Sequence, residues 1–175
     1  YQQYQQGQLD IDEYLSFALA PMAGMTPETL SALQDKFLKK HVEPILLDAA
    51  FDLLQAHRVN GDTLIIITAT NTLVTQPIAD RLGVEHLIGC EAELKDGRYT
   101  GKPEGVPSFG EGKVQRIKTW CTEHQILFED AVFYSDSHND LPLLRKVARA
   151  IAVDPDDLLR VEAQQCGWEI ISLRL

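Results

Sequence analysis

The stretch from residue 132 to residue 140 constrains the fold of this chain more than any other. Its first three residues are β-branched or aromatic, which is typical of a buried strand. A polar loop with Asp136, Asn139 and Asp140 follows, and the apolar residues from Leu141 onward predict a helix. Because ligands bind open α/β sheets just beyond the carboxyl ends of strands, this loop is a candidate site.

The polar loop alone leaves two interpretations open. Its carboxylates could bind a hard cation such as Mg²⁺, which takes oxygen ligands and keeps several waters. Alternatively, Asn139 or Asp140 could cap the following helix, with Ser137 and His138 as ordinary loop residues.

Strands and helices alternate over most of the chain. Apolar runs predict strands at 63–67, 132–134, 150–153 and 168–173, and Asp96-Gly97 predicts a hairpin. Amphipathic segments between them predict helices, one of them opened by Pro44 and another with Pro77 in its first turn. This alternation predicts an α/β fold with a doubly wound parallel sheet.

The first 42 residues contain no predicted strand. Asp10 and Thr26 each precede an amphipathic segment and predict two capped helices. We expect residues 1–42 to form a small helical subdomain and residues 43–175 to form the α/β core. The alternative is that the helices are a plain layer on the main sheet.

The amino-acid composition limits the classes of partner that the chain is expected to bind. The chain carries 16 Lys and Arg residues against 26 Asp and Glu residues, a formal net charge of −10. This charge repels nucleic acids and anionic membranes, so we expect neither as a partner, although local cations and a metal could still admit a small anionic substrate. The three cysteines are widely spaced and show no metal-binding pattern, so we expect them to stay reduced. The sequence shows neither an apolar run of membrane length nor the pattern of a signal peptide, so we expect a cytoplasmic protein.

Three polar positions are candidates for chemistry: Thr68 at a strand end, Lys113 at a helix start, and Asp136 with Asp140. The carboxyl ends of parallel strands lie at one edge, so these residues could share a site. Each also has an ordinary explanation, a hydroxyl bonded to backbone for Thr68 and a solvated side chain for Lys113. Lys113 is the more informative, because a cation in the first turn opposes the helix dipole and a nearby anion would explain it.

These residues resemble the motifs of the haloacid dehalogenase (HAD) superfamily, in its phosphoserine-phosphatase-like branch, subfamily IB. The strand that ends in Thr68 is similar to the second motif and Lys113 to the third. Residues 134–141 are similar to the fourth motif, with Ser135 where glycine is commoner. The Asp96-Gly97 hairpin also matches this branch, and residues 1–42 look like the later part of its helical cap.

The resemblance implies a Mg²⁺-dependent phosphatase that works through an aspartyl-phosphate intermediate. It assigns Asp136 to the metal, and Asp140 either to a metal-bound water or to orienting Lys113. The implied catalytic set is Thr68, Lys113, Asp136 and Asp140. The implied phosphate-binding set is Thr68, Ala69, Lys113 and Asn139.

We expect the family's first motif, an Asp-x-Asp at the end of the central strand, to be absent from these 175 residues. Its first aspartate is the nucleophile and its second protonates the leaving group. We therefore expect an upstream segment of about 40 residues, or a second copy in a homodimer, to complete the sheet. Otherwise, unpaired backbone groups on neighbouring strands would each cost roughly 1–3 kcal/mol.

The expected substrate is a small phosphorylated metabolite of the phosphoserine or histidinol phosphate type. A rival hypothesis is a catalytically silent phosphate-binding or regulatory protein that lacks the nucleophile. A receiver-like or nucleotide-binding domain is disfavoured, because no glycine-rich phosphate fingerprint follows a first strand.

Overall fold

The computed structural model describes residues 9–174, which form two compact units, Leu9–Ser108 and 109–174. The first unit contains helices α1 (Ile11–Leu19), α2 (Pro27–Phe37), α3 (Asp48–Val59) and α4 (Thr72–Leu82), with strands β1 (Ile65–Asn71), β2 (His86–Lys95) and β3 (Arg98–Glu104). The second contains α5 (Glu111–Glu123), β4 (Val132–Ser135), α6 (Leu141–Leu144), β5 (Arg149–Val153), α7 (Asp157–Cys166) and β6 (Glu169–Ile171).

Each unit contains one three-stranded sheet. In the first, β1 and β2 are parallel, and β2 pairs with β3 in the antiparallel sense through the Asp96-Gly97 turn. Both turn residues have positive φ, 50° and 73°, as a two-residue type I′ hairpin requires. In the second, β4, β5 and β6 are all parallel and adjacent in that order. The predicted α/β class with parallel strands is confirmed.

The two predicted N-terminal helices are present with their predicted caps. The Asp10 carboxylate accepts hydrogen bonds from the backbone N–H groups of the first turn of α1, and the Thr26 hydroxyl accepts one from Thr29. Leu19 and Leu30 are buried together with Leu73 of α4. The loop between α1 and α2 also bonds to β3, from Gly24 N–H to Tyr99 O at 2.8 Å and from Tyr99 N–H to Met25 O at 2.9 Å.

The helices therefore pack on the hairpin of the first unit. The division of the chain at residue 42 stays a prediction.

The predicted helix start at Pro44 is wrong. After α2 the chain continues through a π-helical turn at Leu38–Val42 and a 3-10 turn at Glu43–Ile45, which contains Pro44. Two extended residues, Leu46 and Leu47, then separate this turn from α3. Proline is accommodated because the first residues of a helical turn need no N–H donor.

Pro77 does not lie in the first turn of its helix but inside α4, which begins at Thr72 after the Asn71 cap. A proline there leaves the carbonyl of Leu73, four residues earlier, without its usual N–H donor. The side-chain amide of Gln34 on α2 replaces that donor, with Nε2 at 2.6 Å from Leu73 O. A long-range side chain thus permits the helix to continue through the proline.

The second unit has its core between the sheet and α7. Leu144, Ala150 and Ala152 are buried with Leu159 and Ala163. Within residues 9–174, β1 pairs only with β2 and β4 only with β5, so each lies at an edge of its sheet. Among these residues, no helix has both the length and the apolar character of a membrane span.

Candidate active site

The loop after β4 carries the residues of the predicted fourth motif. Asp136 is exposed, and within residues 9–174 its carboxylate makes no hydrogen bond or ion pair. Ser135, Ser137 and Asp140 around it are buried. The loop therefore presents one exposed carboxylate between the buried residues Ser135 and Ser137.

Asp140 occupies the position before α6, but its side chain does not cap that helix. Its Oδ1 accepts a hydrogen bond from Lys113 Nζ at 2.5 Å, and its Oδ2 accepts one from Ser135 Oγ at 2.7 Å. The capping interpretation is therefore wrong for Asp140. The geometry instead matches the role of orienting Lys113, one of the two implied by the family resemblance.

Lys113 is only 5% exposed, so the explanation as a solvated lysine is also wrong. It lies in the first turn of α5, where the helix dipole disfavours a cation. The Asp140 carboxylate supplies the anion that its position requires. Charged groups are almost never buried unless paired, and this pair satisfies that condition.

Ser137 and His138 are more than ordinary loop residues. The Ser137 hydroxyl caps the 3-10 turn His138–Asp140 by accepting the Asn139 backbone N–H at 3.2 Å. The Asn139 side-chain amide donates to the same hydroxyl, also at 3.2 Å. His138 Nδ1 lies 2.8 Å from Oδ2 of Asp156, while its Nε2 is buried and has no partner among the described residues.

Asp156 precedes α7 and caps it. Burial raises the pKa of its carboxyl, but hydrogen bonds from Leu159 and His138 outweigh this effect and lower the pKa below its usual value. Asp156 therefore remains a carboxylate beside the loop at neutral pH.

The second predicted motif lies in the first unit, in an irregular part of β1. Ile67 pairs with Ile88 and Asn71 with Cys90, so the three residues Thr68, Ala69 and Thr70 oppose a single residue of β2. That residue is Gly89, at which a Cβ would lie 3.0 Å from the Thr70 carbonyl oxygen and 2.8 Å from Thr72 Cγ2. A glycine is thus required where the two strands approach.

The side chains of this segment are partly engaged. Thr68 Oγ1 accepts the Thr70 N–H at 3.1 Å, as the ordinary explanation expected, but accepting leaves its own O–H as a donor. The buried Cys90 thiol donates to Ala69 O at 3.2 Å and accepts from Ser108 N–H at 3.2 Å. The sequence did not predict that Cys90 and Ser108 contact this segment. Only their hydrogen bonds in the structure show it.

The structure brings Lys113, Ser135 and Asp140 together in the second unit. Thr68 and Ala69 belong to the first unit, so a site shared with Lys113 stays a prediction. The sequence analysis also missed Asp156 as a residue of this site. Its position could have been noticed, because the sequence Asp154-Pro155-Asp156 comes directly after a predicted strand.

Two literal Asp-x-Asp sequences occur, and neither offers a free first aspartate. Asp10 accepts the N–H groups of Asp12 and Glu13 at 3.0 Å each. Asp154 accepts from Ser172 Oγ at 2.6 Å and from Leu173 N–H at 3.1 Å. Both carboxylates have structural roles, so we assign neither to the first motif.

The residues of the loop fit a partial Mg²⁺ site. Within the described part of the chain, no group of three or more His, Cys, Asp or Glu side chains could hold a metal on its own. Mg²⁺ is often bound by one or two carboxylates together with waters and substrate phosphate. Asp136 offers one such carboxylate, since Asp140 is already neutralised by Lys113.

A family model described as haloacid dehalogenase-like hydrolase matches residues 3–145. The chain is 38% identical to a histidinol-phosphatase of Neisseria meningitidis, across 99% of this chain and 80% of that protein. It is 34% identical to a phosphoserine phosphatase of Mycobacterium tuberculosis, across 90% of this chain but 51% of that protein. The chain thus spans only about half the length of that relative.

Solved structures agree in fold. A Bordetella pertussis protein of unknown function is 41% identical and superposes with a TM-score of 0.92, covering 98% of this chain and 78% of that one. A substrate-bound phosphoserine phosphatase superposes with a TM-score of 0.70 at 17% identity, covering 99% of this chain and 77% of that one.

These matches define the class as HAD-like hydrolases with a parallel α/β fold. The chain belongs to the haloacid dehalogenase-like hydrolase family, as the sequence motifs predicted. The phosphatases among its relatives support the predicted enzyme class.

Proposed function

We propose that the complete protein is a Mg²⁺-dependent phosphomonoester hydrolase that works through an aspartyl-phosphate intermediate. The observation that carries the proposal is the exposed carboxylate of Asp136, unpartnered among residues 9–174, on the loop whose Ser135 and Asp140 form a buried cluster with Lys113. A nucleophilic aspartate from a first motif upstream of Tyr1 completes the mechanism. Membership in the hydrolase family supports this assignment.

Phosphoryl transfer requires mainly positioning and charge stabilisation from the protein. Asp136 would hold Mg²⁺, which when bound neutralises charge on the phosphate and the nucleophile. Lys113 would balance charge on the transferring group, and Asp140 and Ser135 would keep its ammonium in place. Thr68 would donate its O–H to a phosphate oxygen, with Ala69 and Asn139 as further phosphate-binding residues.

The first half-reaction would move the phosphoryl group from the substrate oxygen to the aspartate, and the leaving oxygen would take its proton from the second aspartate of the first motif. Water would then lose a proton to that second aspartate and attack the phosphorus of the acyl phosphate, which releases inorganic phosphate and regenerates the carboxylate of the nucleophile. Dividing the reaction in this way is the general use of a covalent nucleophile.

The substrate class is a small phosphorylated metabolite. Histidinol phosphate and phosphoserine are the first candidates, because two relatives are named as phosphatases of these compounds. The chain covers 80% of the length of the first relative and 51% of the second. Among the described residues, β1 has an unpaired edge in its own sheet and β4 has one in its own sheet, and each edge is open to pairing with a further strand. We propose that an upstream segment supplies it, with a second copy of the chain as the alternative.

The test is hydrolysis of p-nitrophenyl phosphate, phosphoserine and histidinol phosphate by the full gene product, including any residues upstream of Tyr1. We expect Mg²⁺-dependent turnover that falls by about 10²- to 10³-fold in Asp136→Asn, since a charge stabiliser is lost. Asp130→Asn, an exposed residue of the same unit, removes the same charge and should leave turnover unchanged.

Three outcomes would contradict parts of the proposal. Unchanged turnover in Asp136→Asn would remove that residue from the site. Phosphate binding without any hydrolysis would favour a silent regulatory protein. Robust turnover by a preparation proven to begin at Tyr1 would contradict an upstream nucleophile.

A further inference from the structure

Asp156, which lies outside the predicted motifs, bonds to both ends of the segment 136–138. Its backbone N–H donates to the carbonyl oxygen of Asp136 at 2.9 Å. Its Oδ2 accepts the backbone N–H of His138 at 2.9 Å and lies 2.8 Å from Nδ1 of the same residue. Its Oδ1 accepts the N–H of Leu159 at 2.8 Å and so caps α7. One residue therefore joins the loop after β4 to the start of α7.

These hydrogen bonds lie beyond the end of β4, where the chain is no longer paired with a neighbouring strand. The last pair in the ladder between β4 and β5 is Ser135 with Ala152, so Asp136 lies just beyond that ladder. Asp136 is exposed and its own carboxylate has no partner among residues 9–174. The loop backbone at Asp136 and His138 is thus held by Asp156 and not by strand pairing.

We propose that Asp156 is a positioning residue for Asp136, which it keeps in a metal-binding orientation through the Asp136 carbonyl and through His138. The inference rests on the proposed role of Asp136 as a Mg²⁺ ligand. Groups that orient metal ligands typically contribute 10- to 100-fold to metal affinity.

The neighbouring residue Asp154 provides a matched control. It lies on the same segment, two residues earlier, and its carboxylate also accepts two hydrogen bonds. Its partners, Ser172 and Leu173, follow β6 and do not belong to the loop after β4. Replacing Asp154 therefore tests the loss of a similar side chain without loss of the contacts to the loop.

Two variants separate the cap from the loop contact. Asp156→Ser keeps a good N-cap for α7 but is too short to reach His138. Asp156→Asn keeps the side-chain shape but has a single acceptor oxygen, so when that oxygen caps α7 the amide nitrogen in the other position cannot accept the His138 N–H. Both variants retain the backbone bond to Asp136, so folding should persist. Either variant alone suffices for the test if the other fails to fold.

The experiment is calorimetric titration of the full chain with Mg²⁺, with melting temperatures measured in the absence of metal. We expect the Kd for Mg²⁺ to rise about tenfold or more in Asp156→Ser and Asp156→Asn, and to stay within about twofold in Asp154→Ser. His138→Ala should give a smaller rise, because the backbone N–H of residue 138 still donates to Asp156. In kinetics, the KM for Mg²⁺ should rise more than kcat at saturating Mg²⁺ falls.

The outcomes distinguish the inference from the proposed function. If the wild type binds Mg²⁺ and Asp136→Asn does not, but a folded Asp156 variant binds as the wild type does, the positioning role is wrong. An equal loss of affinity in Asp154→Ser would show a general loss of stability instead and would also overturn it. If the wild type itself binds no Mg²⁺, the proposed function fails.

Discussion

Lys113 is a charged residue in a position that its local surroundings disfavour. The helix dipole and burial both disfavour its charge, and its ion pair with Asp140 compensates for them. Removing one partner of such a pair leaves the other charge buried alone, which is more costly than removing both. The pair is therefore expected to matter for stability as well as for phosphate binding.

Lys113→Met should lower the free energy of unfolding by about 3–5 kcal/mol, as measured by urea denaturation. The double variant Lys113→Met with Asp140→Asn should recover part of this loss, because no unpaired charge is then buried. Lys118→Met, on the exposed side of the same helix near Phe128, should cost only about 1 kcal/mol or less. Equal losses for the two lysine variants would contradict the interpretation.

Asp154 gives a prediction for pH dependence. The Ser172 hydroxyl, and after it the Leu173 N–H, hold the pKa of the Asp154 carboxyl below its usual value. Because the pKa is lower in the folded state, the interaction stabilises the protein above the unfolded pKa, about 4, and is lost as the pH falls through the folded pKa.

Ser172→Ala should raise the pKa of Asp154 toward its usual value, which carbon-detected NMR titration of the carboxyl can measure. The difference in unfolding free energy between wild type and variant should be largest near neutral pH. It should shrink on acidification below about pH 4. An Asp154 pKa that does not move would show that the hydroxyl is not its main stabilising partner.

At the scale of elements, α4 depends on a residue from another helix. Gln34→Ala should cost roughly 1–3 kcal/mol, because it leaves the Leu73 carbonyl without a donor in a partly buried place. Adding Pro77→Ala restores a backbone N–H at position 77, so the cost of Gln34→Ala should be smaller in that background. Urea denaturation of the four proteins in this double-mutant cycle measures the difference. The same cost in both backgrounds would exclude this explanation.

Elements with local signals could be predicted from the sequence. Caps such as Asp10 and Thr26 act on N–H groups within three residues, and the Asp96-Gly97 turn needs only its own two positive φ angles. Pro44 and Pro77 were misplaced for the opposite reason. A proline excludes certain positions, but whether a helix continues past it depends on its surroundings. For Pro77 the partner is Gln34, which lies 39 residues before Leu73.

The same distinction applies to the candidate site. The types and order of Thr68, Lys113 and Asp136 were enough to predict the family, because each motif is read within a few residues. The bond from Lys113 to Asp140 spans 27 residues and that from His138 to Asp156 spans 18. Periodicity and spacing carry no information on such pairs. The family resemblance implied the first pair as one of two roles for Asp140, whereas the contacts of Asp156 became visible only in the structure.

At the scale of the whole molecule, the central claim is hydrolysis of a small phosphomonoester through a phosphorylated aspartate. The most direct measurement is acid quenching of the full gene product during turnover of a ³²P-labelled phosphomonoester with Mg²⁺, followed by treatment of the protein with hydroxylamine. We expect protein-bound label that hydroxylamine releases, and almost no label in Asp136→Asn or without Mg²⁺. Turnover at a normal rate with no hydroxylamine-sensitive label, under conditions in which a phosphorylated aspartate would accumulate, would contradict the proposed mechanism.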